Sequence, residues 1–471
     1  MSNLTFSSPD LSSFCQLNNL GLVATGQHLC AERAVIECRF TKAPEPCPKC
    51  GAAGVSRGTV DRHLAHTPYG QRPTTLLLRI RRWRCICGCF WHEDTSSAAP
   101  PRSKLSYGAM RWALATIVLD DLSISRIANH LGVAWHTVNS AILKEGKRLL
   151  FNDPKRFDGV TVLGVDEHVW RHTRRGDKYV TIVVDLTPVR NKTGPSRLLA
   201  VLEGRSKQAF KQWLNNRPKA WRDQIESIAM DGFTGFKSAA QEALPQAQTV
   251  LDPFHVVRWA SNMLDECRRR VQKDTLGRRG RKNDPLYKSR RTLLTRISYL
   301  SDANKKQLFQ LFADEHHLEV DCTWNMYQRV VSAYNEPDRR RGKKLMEEVI
   351  NIITASDLPK ALIEVKGLGK TLKKYADSIL AYFDRPGTSN GPTEAINGRL
   401  EHLRGTALGF RSLTNYIARC LLESGGFKPA TLLNAKSRFD AFYRRLGVGF
   451  AVPTRHVDPS RVELHRSWGL H

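Results

Sequence analysis

The order of strand-like and helix-like segments in the middle of the chain constrains its fold most strongly. Between residues 158 and 256, five runs are rich in β-branched and aliphatic side chains, which favour strands. The first three runs follow each other too closely for helices between them, so they are expected to form an antiparallel meander. A helical segment, Ser206–Leu214, precedes the fourth run. The five runs are residues 161–165, 179–184, 197–202, 225–230 and 248–251.

Two aspartates stand at the ends of the first and fourth runs, Asp166 and Asp231. Three meander strands followed by helix, strand, helix and strand is the order of an RNase H-like α/β domain, in which the first and fourth strands are neighbours. The two carboxylates are therefore expected to lie together and to bind Mg²⁺, which prefers hard oxygen ligands. Aspartate also commonly ends a strand or begins a turn, and Asp185 and Asp252 follow apolar runs too.

A third acid, Glu394, lies where a Gly-Pro turn gives way to a helical pattern within Ser389–Leu400. An acid in the first helical turn is favoured by the helix dipole alone. Together with Asp166 and Asp231, however, it completes a set of three carboxylates. Two Mg²⁺ ions held by such a set clamp the attacking and leaving oxygens of a phosphodiester. The sequence therefore predicts a metal-dependent phosphodiester enzyme.

The charge balance indicates a polyanionic partner. The chain has 471 residues and a formal net charge of +28, which favours nucleic acid over the alternatives of a ribosomal, a membrane-surface or a merely solubilising role. Its length predicts several domains, and a hydrophobic content of 41% suffices for real cores. No apolar run approaches the ~20 residues that a membrane helix needs, and the N-terminus lacks a signal-peptide pattern. We expect a cytoplasmic protein.

Five of the 11 cysteines cluster between residues 47 and 89. The two-residue gap in Cys47-Pro-Lys-Cys50 lets both sulfurs of a tight knuckle face one Zn²⁺. In the second half of the cluster, the spacing of the cysteines is irregular, so the identity of the fourth ligand stays open. The alternative to a zinc site is a set of reduced thiols without metal. The predicted zinc ligands are Cys47, Cys50 and Cys85 with either Cys87 or Cys89, and His92 is a further candidate.

Residues 122–139 have the pattern of a helix-turn-helix. Ile127, Ala128 and Leu131 form an apolar face, and Gly132 supplies the turn, since glycine tolerates a positive φ. The second helix would then present its polar side chains to a DNA groove, although an ordinary helical hairpin is the alternative. The predicted reading residues are Trp135, His136 and Asn139.

Four strings carry a resemblance to a known family: Gly164–His168, Met230–Phe233, Asp252–Val257 and Ser389–Asn397. With the cysteine cluster and helix-turn-helix before them, the chain resembles bacterial insertion-sequence transposases of the DDE class over residues 40 to 425. The irregular second cysteine pair departs from the family pattern.

The resemblance implies roles for further residues. Asp252 and His255 resemble an element that supports the active site in related transposases, although a structural histidine is equally expected. The long interval between Asp231 and Glu394 implies an inserted all-helical domain, because a bare loop of that length is uncommon. Within it, residues 268–296 hold 12 lysines and arginines, which are either phosphate contacts or a solvated face. The predicted phosphate-binding residues are Arg268, Arg278, Arg279 and Arg281. Trp324 could stack on an unpaired base, but core packing is favoured.

The expected fold is a multidomain α/β protein with a zinc ribbon, an all-α helix-turn-helix domain and an RNase H-like catalytic domain interrupted by an all-α insertion. The expected function is binding of terminal inverted repeats, Mg²⁺-dependent cleavage and joining to target DNA, by at least a dimer near the nucleoid. The alternatives are a DNA-binding regulator with an inactive nuclease domain and a nuclease without strand transfer. The expected boundaries are 40–95 (ribbon), 104–150 (helix-turn-helix), 158–260 and 386–430 (catalytic), 261–385 (insertion) and 431–471 (tail).

Overall fold

A computed structural model describes residues 8–43, 45–173 and 178–428. The chain up to Gly426 forms one compact unit of mixed α/β structure. The predicted tail, residues 431–471, lies outside the described residues. None of the helices in the described ranges is long and apolar enough to cross a membrane.

The N-terminal part is a five-stranded sheet. Its strand order is β1-β2-β4-β3, with the short β5 paired to the end of β4. The burial of alternate residues in β2 is the usual signature of a strand with one buried face. The elements are α1 (Leu11–Phe14), β1 (Leu22–Leu29), β2 (Ala34–Phe40), β3 (Val55–Tyr69), β4 (Arg72–Arg84) and β5 (Phe90–His92).

Three helices follow, and two of them lie where the helix-turn-helix pattern predicts. Ser123 caps the second helix by accepting the backbone N–H of Arg126, and Gly132 ends it with a φ of +63°. Ile127 and Val138 are buried between the helices. The helices are α2 (Tyr107–Asp120), α3 (Ile124–Leu131) and α4 (Trp135–Gly146).

The central sheet has the order β10-β9-β6-β7-β8. The strands β6, β7 and β8 are antiparallel, whereas β6, β9 and β10 are parallel. All five predicted strands are present. The elements are β6 (Val162–Val169), β7 (Tyr179–Asp185), α5 (Thr187–Arg190), β8 (Arg197–Glu203), α6 (Lys207–Asn215), α7 (Lys219–Asp223), β9 (Ser227–Met230), α8 (Thr234–Ala243) and β10 (Gln248–Leu251).

The expectation that the first strand ends before Asp166 is wrong. The strand β6 continues to Val169, because Glu167, His168 and Val169 still pair with β7. Asp166 therefore lies inside a strand, while Asp231 directly follows one.

The remainder is helical. The long α9 leaves β10 and runs without a break past residue 260, and it packs with α13, α14 and α15 around a shared apolar core. Trp324 lies in this core with its ring 5.4 Å from that of Phe312, in agreement with core packing. The helices are α9 (Pro253–Leu276), α10 (Pro285–Lys288), α11 (Arg290–Leu293), α12 (Asp302–Phe312), α13 (Leu318–Asn335), α14 (Arg339–Thr354), α15 (Ile363–Asp384), α16 (Gly391–Thr406) and α17 (Leu413–Ser424).

Candidate active site and DNA-facing surfaces

Three aspartates occupy equivalent positions on neighbouring parallel strands. Val165 of β6 stands opposite Met230 of β9, and Met230 stands opposite Leu251 of β10. The next residues along the chain are Asp166, which is still in β6, and Asp231 and Asp252, which directly follow β9 and β10. Because residues in register on adjacent strands point to the same face, the three side chains converge at one edge of the sheet.

Helix α16 brings Glu394 to this edge. The carboxylate of Asp252 accepts the backbone N–H of Asn390 at 2.8 Å and that of Phe254 at 3.0 Å, so it ties the start of α16 to the start of α9. Asp252 is buried, and one ligand atom each from Asp252, His255 and Glu394 lie within 4.8 Å of one another. Asp252 thus positions the helix that carries Glu394.

A close approach of α16 to β6 makes this arrangement possible. A Cβ atom at Gly164 would lie 2.3 Å from Oγ1 of Thr393, which is too close for any side chain. Only glycine fits at this position, two residues before Asp166 and opposite the residue that precedes Glu394.

The pKa values of all three acids are raised. Burial first, and then the charge of Asp231, raises the pKa of Asp166 to about 7, with a further contribution from Glu394. Burial also raises the pKa of Asp231 and of Glu394. Carboxylates held together in this way favour a bound cation, since it would relieve both the repulsion and the cost of burial.

Sequence patterns missed Asn397, which lies one turn after Glu394 on the same face of α16. Its side-chain amide donates to Oδ2 of Asp166 at 3.0 Å and lies 3.4 Å from the carbonyl oxygen of Glu167. Its Oδ1 is buried and has no hydrogen-bond partner in the described part of the chain. The three-residue spacing from Glu394 was the available signal.

His255 lies beside the acids, as predicted for a supporting residue. Its Nε2 is 4.0 Å from Oδ2 of Asp231. Its Nδ1 is buried without a hydrogen-bond partner among the described residues. One ring nitrogen therefore faces the carboxylates.

A buried pair next to the site was also missed. His168, two residues after Asp166, makes a 2.6 Å hydrogen bond with the hydroxyl group of Tyr416 in α17, and the rings stack with centroids 6.1 Å apart. Burial lowers the pKa of His168 to about 4, so the histidine is neutral at pH 7. This pair joins β6 to α17, far apart in sequence, and no local pattern could have revealed it.

The cysteine cluster forms at the end of the first sheet. The sulfur atoms of Cys47 and Cys87 are 3.6 Å apart, and those of Cys50 and Cys85 are 3.4 Å apart. All four lie within 4.8 Å of one another. Although desolvation opposes it, the backbone amides of Lys49 and Cys50 help to lower the pKa of Cys47 to about 6, which favours the thiolate that binds metal. Cys87, and not Cys89, completes this group of four sulfur atoms.

Comparisons with known proteins give the family of the chain. Residues 163–420 match a family described as transposase, of the ISL3 type. The chain belongs to this transposase family. Residues 43–89 match a zinc finger of the transposases of IS204, IS1001, IS1096 and IS1165, which together with the four-cysteine cluster supports a structural zinc.

Two similar proteins are transposases of named elements. The transposase for insertion sequence element IS1557 of Mycobacterium tuberculosis is 25% identical, over 81% of this chain and 86% of the relative. The transposase for insertion sequence element IS1001 of Bordetella parapertussis is 28% identical, over 62% of this chain and 68% of the relative.

In this transposase, α4, the predicted DNA-reading helix, is only partly exposed to solvent. Trp135 and His136 at the start of α4 are exposed, as expected. The prediction for Asn139 is wrong, because its side chain is 7% exposed and its amide points to Oδ1 of Asn415 at 3.4 Å. Helix α17 covers this part of α4, which the helix-turn-helix pattern alone could not show.

The predicted phosphate-binding arginines also differ from one another. Arg279 and Arg281 are exposed. Arg278 is engaged with Asp284 through two contacts of 2.7 and 2.9 Å. The prediction for Arg268 is wrong, because it is 4% exposed and its guanidinium pairs with Asp265 at 2.7 Å. An α-helix points some residues of a basic run inward, and Arg268 is one of these.

Proposed function

We propose that this transposase cleaves the DNA ends of an insertion sequence and joins the 3′-hydroxyl groups to target DNA, with Asp166, Asp231 and Glu394 as catalytic residues. The observation that carries the proposal is the convergence of these acids, from two strands and a helix, with raised pKa values. Structural carboxylates are usually neutralised by a neighbouring base, as Asp185 is by Arg197 at 2.8 Å.

The strand order supports an RNase H-like catalytic domain. Three antiparallel strands with two parallel strands added beside the first, in the order β8-β7-β6-β9-β10, are what that fold requires. The helices between β10 and α16 then form the all-helical insertion. The zinc ribbon and the helix-turn-helix would precede this domain in the chain.

The donor set fits Mg²⁺. All three acids offer oxygen ligands, and burial together with mutual repulsion leaves them short of positive charge. Two Mg²⁺ ions at such a site would activate the attacking oxygen and stabilise the leaving oxygen.

Neighbouring residues of the protein would hold the catalytic carboxylates in position. Asn397 holds one oxygen of Asp166, and the backbone N–H of Glu167 holds the other at 2.8 Å. The backbone N–H of Phe233 fixes Oδ1 of Asp231 at 3.0 Å. The two aspartates would therefore keep their orientation before DNA arrives, and His255 at the rim would support them.

Recognition would come from the N-terminal modules. The exposed start of α4 would read the terminal inverted repeats, and Arg279 and Arg281 would bind phosphates of the same DNA or the target. We propose that at least two copies act together, because two ends must be joined, and that the protein works in the cytoplasm at the nucleoid.

The test is cleavage and strand transfer on duplexes that carry the element's ends, in Mg²⁺. Asp166→Ala, Asp231→Ala and Glu394→Ala should each abolish both steps and leave DNA binding intact. Glu242→Gln is the control, because this exposed acid of α8 pairs with Lys207 and Lys211 and does not belong to the site. A triad variant that still cuts at the normal rate would remove that residue from the site.

The assay also separates the other functions. Cleavage without joining would indicate a nuclease. Specific binding without cleavage by the intact chain would indicate a regulator. The DNA around the gene gives an independent check, since imperfect inverted repeats with short direct repeats outside them mark a mobile element.

A further inference from the structure

The arginines on the two faces of strand β4 differ in whether they form ion pairs with acids. On one face, Arg79 pairs with Glu37 and Asp61, both at 2.7 Å. Arg81, on the same face, pairs with Glu93. Every arginine of β4 on this face is therefore neutralised by a neighbouring strand.

The other face carries Arg82 and Arg84, which are exposed. Neither makes an ion pair with an acid in the described part of the chain. This face is continuous with the buried core side of β4, which ends at Ile80. Beyond Ile80, the same side of the strand emerges into solvent.

Apolar side chains surround these two arginines. In the β-sheet register, Arg84 stands between Val55 of β3 and Phe90 of β5, and its guanidinium lies 5.3 Å from the Phe90 ring centroid. Phe90 is 58% exposed and Val55 is 61% exposed. Cross-strand partners share a face, so the arginines and the apolar groups form one surface.

The tip of the cysteine knuckle extends this surface. Ile86, directly after Cys85, is 96% exposed. Arg82 has His92 of β5 as its cross-strand neighbour. We call Arg82, Arg84, Ile86, Phe90 and His92 the ribbon face.

We propose that the ribbon face is a second DNA-contacting surface, separate from helix α4, on which Arg82 and Arg84 bind phosphates while Ile86 and Phe90 pack on sugars or base edges. The proposal rests on the proposed function, because it assumes that the chain binds duplex DNA. It adds a site to which neither the helix-turn-helix nor the basic helical run contributes.

The positive charge of the ribbon face favours DNA as the partner that binds there. Two arginines without acid partners, on a strand whose opposite face has its arginines paired with acids, would repel a second copy of so basic a chain. A phosphate backbone complements them, and each phosphate contact releases counterions from DNA. Arginine also suits this role because its planar guanidinium can bind phosphate with two N–H groups.

The experiment is a binding titration of the full chain on duplex DNA at several salt concentrations. The test variant is Arg82→Gln with Arg84→Gln. The control is Arg33→Gln with Arg39→Gln, which removes the same charge from exposed positions of the same sheet, outside the ribbon face. Zinc content and the circular dichroism spectrum confirm that each variant is folded.

The test variant should lower the slope of log affinity against log salt by about two, one phosphate contact per arginine. In hydroxyl-radical footprinting, it should lose one protected segment while the rest of the footprint remains. The control should change neither result.

An unchanged slope and footprint in the test variant would overturn the proposal, as would equal changes in the control. A weaker self-association of the test variant in sedimentation, with DNA binding unchanged, would assign the ribbon face to a protein contact instead. Failure of the wild-type chain to bind any duplex would count against the proposed function itself, which is a different result.

Discussion

Asn397 donates its side-chain amide to Oδ2 of Asp166 across 3.0 Å, although the two residues are 231 positions apart in the chain. This contact joins the helix of Glu394 to the strand of Asp166. The two elements that carry proposed catalytic acids are therefore locked together by a residue that is not itself an acid. Asn397 acts as a positioning residue.

Replacing Asn397 should reduce cleavage without abolishing DNA binding. A hydrogen bond to a charged group contributes about 1.5–3 kcal/mol, so Asn397→Ala should slow cleavage by roughly tenfold to a hundredfold. Asn397→Asp should be worse at neutral pH, because a further negative charge raises the pKa of Asp166. Single-turnover rates across a pH series measure both effects.

Gly398→Ala is the control on the same helix, since a Cβ atom there meets nothing within 4 Å. If Asn397→Ala cut at the rate of Gly398→Ala at every pH, the contact with Asp166 would have no positioning role.

The raised pKa of Asp166 predicts a pH-dependent stability. Its pKa is 3.8 ordinarily and about 7 in the folded chain, so the folded state holds the proton more tightly than the unfolded state. The protonated carboxyl's contribution to stability is complete below about pH 4 and is lost as the pH rises through 7. Asp166→Asn should therefore raise the melting temperature at pH 8 in chelator, and change it little at pH 4.

The size of this effect is on the order of 2–4 kcal/mol at the upper end of that window. Mg²⁺ should raise the melting temperature of the wild type at pH 8 but not that of Asp166→Asn to the same degree. Equal melting temperatures of the two proteins at pH 8 without metal would show that the charged carboxylate of Asp166 does not destabilise the folded state.

Zinc content should distinguish the two cysteines that spacing left open. Cys87 belongs to the group of four sulfur atoms, whereas Cys89 lies outside it and its thiol donates to the carbonyl oxygen of Phe90 at 3.9 Å. Protein purified without chelator should carry about one zinc ion per chain. Cys87→Ser should lose it and unfold the ribbon, because such sites contribute folding energy. Zinc retained by Cys87→Ser and lost by Cys89→Ser would reverse the assignment.

Local patterns predicted the elements well and their mutual contacts poorly. The five central strands follow from runs of β-branched residues, and Gly132 ends α3 as its position indicated. The predicted end of β6 was wrong, because pairing with β7 extends the strand through the polar residues Glu167 and His168. The sequence pattern of one strand does not show which other strand will pair with it, or how far that pairing extends.

Contacts between distant elements account for the remaining differences at the site. Asn397, Tyr416 and Asn415 acquire their roles only when α16 and α17 pack beside β6 and α4. Asn139 fits the outward face of an isolated helix-turn-helix, yet α17 covers it. Side-chain spacing within one element cannot reveal which surface a later element will occupy.

Recognition of the terminal repeats should depend on His136 rather than on Asn139. His136→Ala should relax the discrimination between terminal-repeat and random DNA by about 1–3 kcal/mol, the value of one good base contact. Asn139→Ala should leave this discrimination unchanged and instead loosen the packing of α4 on α17. Competition binding with both DNAs, together with melting temperatures, separates the two effects. Loss of specificity in Asn139→Ala at an unchanged melting temperature would contradict the structure.

The basic run of the helical insertion should divide into binding and structural arginines. Neutralising Arg279 and Arg281 together should weaken binding to specific and random DNA alike, and should lower the salt dependence of affinity by about two phosphate contacts.

Arg268→Gln should leave that salt dependence unchanged and lower the melting temperature instead, because it removes a buried partner of Asp265. The substitutions remove two exposed arginines in the double variant and one buried, ion-paired arginine in Arg268→Gln. Titrations at several salt concentrations, with a thermal melt of each protein, therefore test whether burial alone decides which arginines reach DNA. A flattened salt dependence in Arg268→Gln, or none in the double variant, would show that the insertion binds DNA through a different surface.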